Sequence, residues 1–280
     1  MIQIITDSAA DFSPTELSAM NVRCIPLVVR FGETEYRENV DLSRDRFYEL
    51  LLSSKHPPKT SQAAPADLTD LFEEAHSQGD SAIYICLSSA LSGTCQTAMA
   101  TREMLGYKDC HVLDSRNATG GQRMLVEYAV RLRDEGKSAA QIVDLVSRLR
   151  DRIVLYACMN TLEYLYHGGR ISHASYTLGT LAKIKPIIRI EPDGRVGVPA
   201  KALGMRKGME QLCRYLEARE PDEAFPFYVM YTSSREPALA LAQRLAQSGI
   251  QVPEDRIIQV GAAIGSHIGP DACGFVYVGK

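Results

Sequence analysis

An α/β fold of two three-layer α/β/α domains with mainly parallel sheets is the architecture this sequence predicts, and three observations predict it. Apolar runs of strand length recur along the chain, each followed by a short polar turn and then by a segment of helical period. Such alternation is the mark of strand–helix–strand units. At 280 residues the chain is long for a single core, which favours two domains. A hydrophobic content of 45% and a charged content of 23% give both domains the material for an ordinary packed interior.

Taken in order, Ile2 to Ile5 is the first strand, and Thr6-Asp7-Ser8 turns away from it. Ser13-Pro14-Thr15-Glu16 then opens a helix, with Ser13 as cap, Pro14 at the first helical position and Glu16 completing a capping box. The apolar run from Cys24 to Phe31 reads as one strand, returned by Thr34 to Arg37 after Gly32-Glu33. A helix from about Ser43 to Leu52 leads into Lys55-His56-Pro57-Pro58-Lys59-Thr60-Ser61-Gln62, read as a loop because two prolines forbid helix. Helix resumes near Pro65 and stops before Gly79.

Ala82 to Leu87 is apolar throughout, as a strand covered on both faces of a parallel sheet must be, and Cys95 to Leu105 is the helix after it. A strand from His111 to Leu113, a helix from Thr119 to Glu135 and a helix capped by Ser138-Ala139-Ala140-Gln141 come next. After the strand from Val154 to Cys158, Asn160-Thr161 and a short helical pattern end in Gly168-Gly169-Arg170. The domain change is placed here, giving residues 1–160 and 161–280. Strands at Pro186 to Ile190, Val196 to Val198, Tyr228 to Tyr231, Ile257 to Val260 and Phe275 to Val278 make up the second half, with helices at Lys207 to Ala218 and Glu236 to Gln247.

Composition excludes several functions. A formal net charge of −3 offers no basic excess for displacing counterions from a nucleic acid. No apolar run approaches the roughly 18 residues of a membrane span, and the first residues enter a strand directly without the pattern of a signal peptide. Seven cysteines, an odd number with no Cys-x-x-Cys pair, fit free thiols in a reducing cytoplasm. Dinucleotide, Walker and zinc-protease signatures are absent, and the turns after the strands carry no acidic cluster, so neither cofactor nor metal is expected. Ser92 lies between Ala90 and Thr94, outside a nucleophile elbow, and no residue is assigned a catalytic role.

The turns at the strand ends are more informative. Thr6-Asp7-Ser8, Ser88-Ser89, Asp114-Ser115, Asn160-Thr161 and Thr232-Ser233-Ser234 would line one rim with mostly neutral donors, where an α/β sheet collects ligands. Ser88 to Thr94 is the richest of these turns, and a helix starting after Ser92-Gly93 points free N–H groups at an anion. Capping alone would also explain Ser92. His267, in the segment Gly265-Ser266-His267-Ile268-Gly269-Pro270, is expected in a glycine-rich loop that a ligand could approach closely.

Together with Lys59-Thr60-Ser61-Gln62, Gly168-Gly169-Arg170-Ile171-Ser172 and Lys185-Pro186, these segments resemble the DegV family of bacterial fatty-acid-binding proteins along the whole chain. The resemblance implies one long-chain fatty acid held between two α/β/α domains and presented to a separate ATP-binding fatty acid kinase subunit, with no autonomous catalysis. It implies that Thr60, Ser61, Ser92 with the Gly93 N–H, and His267 hold the carboxylate, and that Arg170 meets the kinase or its phosphate. Three positions depart from the family pattern: Cys95 where Tyr is common, Asp271 where Gly is common, and Leu203 where Arg often stands. Two other classes stay open from the residues alone: a serine hydrolase using Ser92, His267 and Asp7, and a substrate-binding subunit of the dihydroxyacetone kinase type.

Overall fold

β1 (Ile2–Asp7) begins the computed structural model, which describes residues 1–173, 176 and 183–280. A turn of 3-10 helix (Ser8–Ala10), α1 (Pro14–Ala19) and β2 (Val22–Ile25) come next, and both arms of the Ser13–Glu16 capping box are made. The apolar run after β2 breaks at Pro26-Leu27, and Val28–Phe31 forms a separate strand, β3, in another sheet. Proline has no N–H to give to a ladder, so a single long strand cannot pass through it. β3 pairs antiparallel with β4 (Thr34–Arg37), the expected hairpin.

After α2 (Arg44–Ser53), residues Lys59–Ser61 form β5 on the other edge of β3, where the sequence predicts a loop. Pro57 and Pro58 precede the paired residues, so they end α2 without blocking the pairing of Thr60 with Val29. α3 (Pro65–Ser77), β6 (Ser81–Cys86), α4 (Thr94–Met104), β7 (Cys110–Asp114), α5 (Thr119–Asp134) and α6 (Ala139–Arg150) complete the first half. Its main sheet runs β2-β1-β6-β7 with every pairing parallel, and β6 is apolar because it is covered on both faces.

The second half comprises β8 (Ile153–Cys158), α7 (Glu163–His167), β9 (Ile184–Ile190), β10 (Val196–Leu203), α8 (Met205–Ala218) and β11 (Tyr228–Tyr231). α9 (Glu236–Gln247), β12 (Ile257–Gln259), α10 (Ala262–Ile268) and β13 (Cys273–Val278) end the chain. The sheet order is β10-β9-β8-β13-β11-β12, so β8, placed by the 160 boundary with the N-terminal residues, pairs inside the second sheet. The expectation of mainly parallel pairing fails here, since only β11 and β12 are parallel. β9 and β10 are joined by a tight turn through Gly194 that leaves no room for a crossover, and a hairpin is antiparallel by construction.

α5 lies between the two main sheets. At Gly120, in its first turn, a β-carbon would fall 2.5 Å from Val276 Cγ1, so the helix approaches β13 as closely as only glycine allows. The largest apolar core accordingly joins Ile4, Ile83 and Leu125 with Met230, Ile258 and Val276. Among the described residues no helix is long and apolar enough to cross a membrane, and no group of three His, Cys, Asp or Glu is placed to hold a metal ion.

Candidate functional site

His267 lies on α10, not in a loop. Gly265 reads as a loop residue in the sequence, yet it serves the helix: a β-carbon there would stand 2.7 Å from Phe47 and 2.8 Å from the Tyr48 hydroxyl. α10 is thereby pressed onto α2. Its free N–H groups are taken by buried carboxylates, Gly261 by Asp11 and Ala262 and Ala263 by Glu38.

This helix brings His267 Nε2 to 2.8 Å from the Thr60 hydroxyl on β5. Nδ1 is buried without a hydrogen-bond partner among the described residues, and it faces Gly168, where a β-carbon would stand 2.1 Å away. Burial, and then the charge of Arg170, push the imidazole down to about 4, so the ring is neutral near pH 7.

The Ser88 to Thr94 turn divides its hydroxyls between two jobs. Ser88 donates to Gly194 O at 2.9 Å and Ser89 to Asp114 Oδ2 at 2.5 Å, so both hold the turn to its surroundings. Ser92 alone of these serines faces the cavity described below, its hydroxyl 2.9 Å from Thr94 Oγ1 and accepting from Thr94 N at 3.3 Å. Gly93 occupies the cap position of α4, and a β-carbon there would fall 2.0 Å from Gln62 Oε1. Gln62 in turn donates to Thr97 at 2.8 Å, and Thr94 accepts from Ala63 N at 3.1 Å. These contacts dock the Thr60-Ser61-Gln62 segment on the start of α4.

Arg170 donates from Nε to Leu91 O at 2.9 Å and from Nη1 to Gly168 O at 2.5 Å. It is half-buried, burial holds its pKa below the usual value, and its side chain lines the same cavity as Ser92 and His267. The two glycines before it have different reasons. Gly169 has φ +72°, a left-handed conformation, whereas Gly168 has ordinary dihedrals and is needed for its approach to His267.

Thr60, Ser61, Gln62, Ser92, Arg170 and His267, with Thr119, Tyr231 and Thr232, form the polar part of one cavity of about 920 Å³ of space free of protein atoms, its open mouth included. Apolar side chains such as Leu27, Leu155, Ile188, Ile190 and Val260 line the rest. Gly93 does not line it but supports Gln62, which does.

The Ser-His-Asp arrangement is not assembled. The Ser92 hydroxyl meets Thr94 and the His267 ring meets Thr60, while Asp7 is buried among Leu87 N, Tyr84 and Gln122. Burial raises the Asp7 pKa, the opposite of what a triad carboxylate needs. Of the departures from the family pattern, Asp271 has φ 59°, which a Gly would adopt freely, and its carboxylate accepts from the Ser233 hydroxyl at 3.0 Å. It does not line the cavity. Cys95 is buried with its thiol against Cys86, and Leu203 is exposed at the end of β10.

Fold and site define an α/β protein with an interior, mainly apolar cavity whose lining also carries hydroxyls, a neutral imidazole and the Arg170 guanidinium. A profile of the DegV family, described as uncharacterised, matches residues 1–280. The chain belongs to the DegV family. A DegV domain-containing protein of Caldanaerobacter subterraneus subsp. tengcongensis is 32% identical over 279 residues, covering 100% of this chain and 99% of the relative. The solved structure of a Thermus thermophilus DegV family protein, described as binding fatty acid, superposes with a TM-score of 0.89 at 30% identity, covering 100% of this chain and 99% of that one. A stearic-acid-binding protein of Eubacterium ventriosum matches with a TM-score of 0.89 at 25% identity and the same coverage.

Proposed function

We propose that this protein binds one long-chain fatty acid in the apolar cavity, with the carboxylate at Thr60, Ser92 and His267 and with Ser61 beside it. The observation that carries this reading is the pairing, in one cavity lining, of many apolar side chains with hydroxyls and a neutral histidine. Burying about 15 methylenes contributes roughly 12 kcal/mol at ~0.8 each, an upper figure before ordering costs. An unpaired carboxylate would cancel much of that gain, whereas several directed donors satisfy it.

In this reading the protein is a carrier and not an autonomous enzyme. It presents the carboxylate to a separate ATP-binding fatty acid kinase subunit for acyl-phosphate formation, and Arg170 serves the phosphate or the partner. The seven unpaired thiols fit a cytoplasmic setting. Organic extraction of freshly purified protein, with mass spectrometry of the extract, tests the binding. A long-chain fatty acid in near-stoichiometric amount is expected. A lipid-free extract together with no uptake of added fatty acid would remove the proposal, and reductive trapping of a triose on His267 would replace it with a sugar-binding subunit.

A further inference from the structure

Two acids that never touch the cavity hold the helix that carries His267. Asp11 Oδ1 accepts from Gly261 N at 2.9 Å. Glu38 Oε1 takes the Ala262 N–H in a short bond, and its Oε2 accepts from Ala263 N at 3.3 Å and from the Ser8 hydroxyl at 2.6 Å. Both residues are about 1% exposed, and neither lines the cavity. A β-carbon on Gly261 would stand 2.2 Å from Glu38 Oε1 and 2.8 Å from Asp11 Oδ1, so the two carboxylates converge on one peptide.

Their surroundings only partly neutralise them. Arg44 of α2 and Arg123 of α5 supply positive charge, and the Thr119 hydroxyl of α5, close to Asp11, is given to Met230 Sδ at 3.0 Å. Tyr48 of α2 gives its hydroxyl to Val260 O at 2.9 Å, and Cys24 of β2, beside Asp7, feels the charge of Glu38. Asp11 Oδ2 and Arg44 Nη2 are buried without hydrogen-bond partners among the described residues. Paired acids in a core are costly to stability, so a site that keeps them bears on something other than stability.

We infer that Asp11 and Glu38 are positioning residues for the ligand carboxylate: by clamping the start of α10 to the N-terminal half, they set where His267 Nε2 meets Thr60. The ligand in this inference rests on the fatty-acid reading, while the coupling of the acids to His267 does not. Burial raises both acids, Asp11 to about 6 and Glu38, which also feels Asp11, to about 7. The pair therefore sheds its last proton near neutrality, and the second negative charge loosens one carboxylate from the helix.

The test tracks the His267 ring resonances by NMR in ligand-free protein, alongside dissociation constants for palmitic acid and hexadecanol. In the wild type, the His267 signals should shift with an inflection between about pH 6 and 7, well above the protonation of the ring itself. Glu38→Gln should abolish that inflection, weaken the acid about tenfold and leave the alcohol within about threefold. Asp11→Asn, which preserves shape, repeats the comparison if Glu38→Gln does not fold. An absent inflection in the wild type, an inflection unchanged in the variants, or equal losses for acid and alcohol would overturn the inference. The inflection without any lipid binding would uphold the coupling and remove the fatty acid.

Discussion

Thr60 Oγ1 and His267 Nε2 lie 2.8 Å apart although 207 residues separate them. One sits on an edge strand of the small antiparallel sheet, the other near the end of a seven-residue helix. Their contact ties the N-terminal half of the cavity wall to the C-terminal half at its polar end. A ligand carboxylate entering there exchanges a neutral hydrogen bond for charge-assisted ones, which are stronger.

Thr60→Val and Ser92→Ala should therefore weaken fatty-acid binding while the fold survives. Each removes one partner of a buried carboxylate, worth roughly 1.5–3 kcal/mol, or about one to two orders of magnitude in affinity. A fatty alcohol of equal length should lose much less. Titration of both ligands on the same preparations checks the pairing, and equal losses would place the carboxylate elsewhere.

Gly168→Ala should damage the site by a different route. Its β-carbon would press on His267 Nδ1 and lie 3.1 Å from Tyr164 O, so the ring must leave its place beside Thr60. Stability should fall by about 1–3 kcal/mol, the usual cost of overpacking, and acid binding should fall with it. Gly169→Ala costs stability through its left-handed φ but should leave acid and alcohol affinities in their wild-type ratio. Thermal melts with paired titrations separate the two glycines.

Much of this is legible in the sequence because local chemistry decides it. The capping boxes at Ser13 and Ser138, the buried strand before Ser88 and the helix from Glu236 to Gln247 derive from spacing alone. Sheet partners do not. β5 exists because β3 offers it an edge, and β13 lies between β8 and β11 because of packing that no local pattern records. The same limit hides α10: Gly265 and Gly269 around His267 read as a loop, and only the approach of Phe47 and Tyr48 explains Gly265 inside a helix, as that of Asp11 and Glu38 explains Gly261 at its cap. Asp11 and Glu38 belong to none of the motifs read from the sequence, and Glu38 stands among charged and polar neighbours, so no local pattern marks either acid as buried.

His267 should make the fold sensitive to acid in a defined window. Its pKa is lowered from 6.5 to about 4, so the unfolded chain binds the proton more readily and stability is lost as pH falls from about 6.5 to 4. The full effect is about 3 kcal/mol at most. Asp11 and Glu38 act with the opposite sign, because raised carboxyl pKa values favour the folded state as pH falls through about 7 toward 4. His267→Gln removes one contribution and leaves the other, so the variant should gain stability relative to wild type between about pH 6 and 4. Denaturant melts across that range decide it, and parallel curves for the two proteins would show that the ring is not held neutral by the fold.

Arg170 separates holding the ligand from passing it on. Its guanidinium spans Leu91 O and Gly168 O, which ties the Ser92 turn to the glycine pair beside His267. Both of these acceptors are backbone carbonyls, so neither bond neutralises its charge, and the side chain faces the cavity. A permanently charged planar donor set at the polar end of the cavity suits a phosphate or a partner's acid. Arg170→Ala should raise the His267 pKa, since the charge that helps to lower it is gone. Fatty-acid affinity should change by no more than about threefold, because the hydroxyl partners of the carboxylate remain. Acyl-phosphate formation with a cognate kinase subunit and ATP should fall at least about tenfold, or ~1.4 kcal/mol in docking or transition-state positioning. Lipid titration and kinase turnover measured on one preparation give both numbers. Full turnover by Arg170→Ala would move the docking role to another cation, with Lys183 and Lys201 the next to substitute.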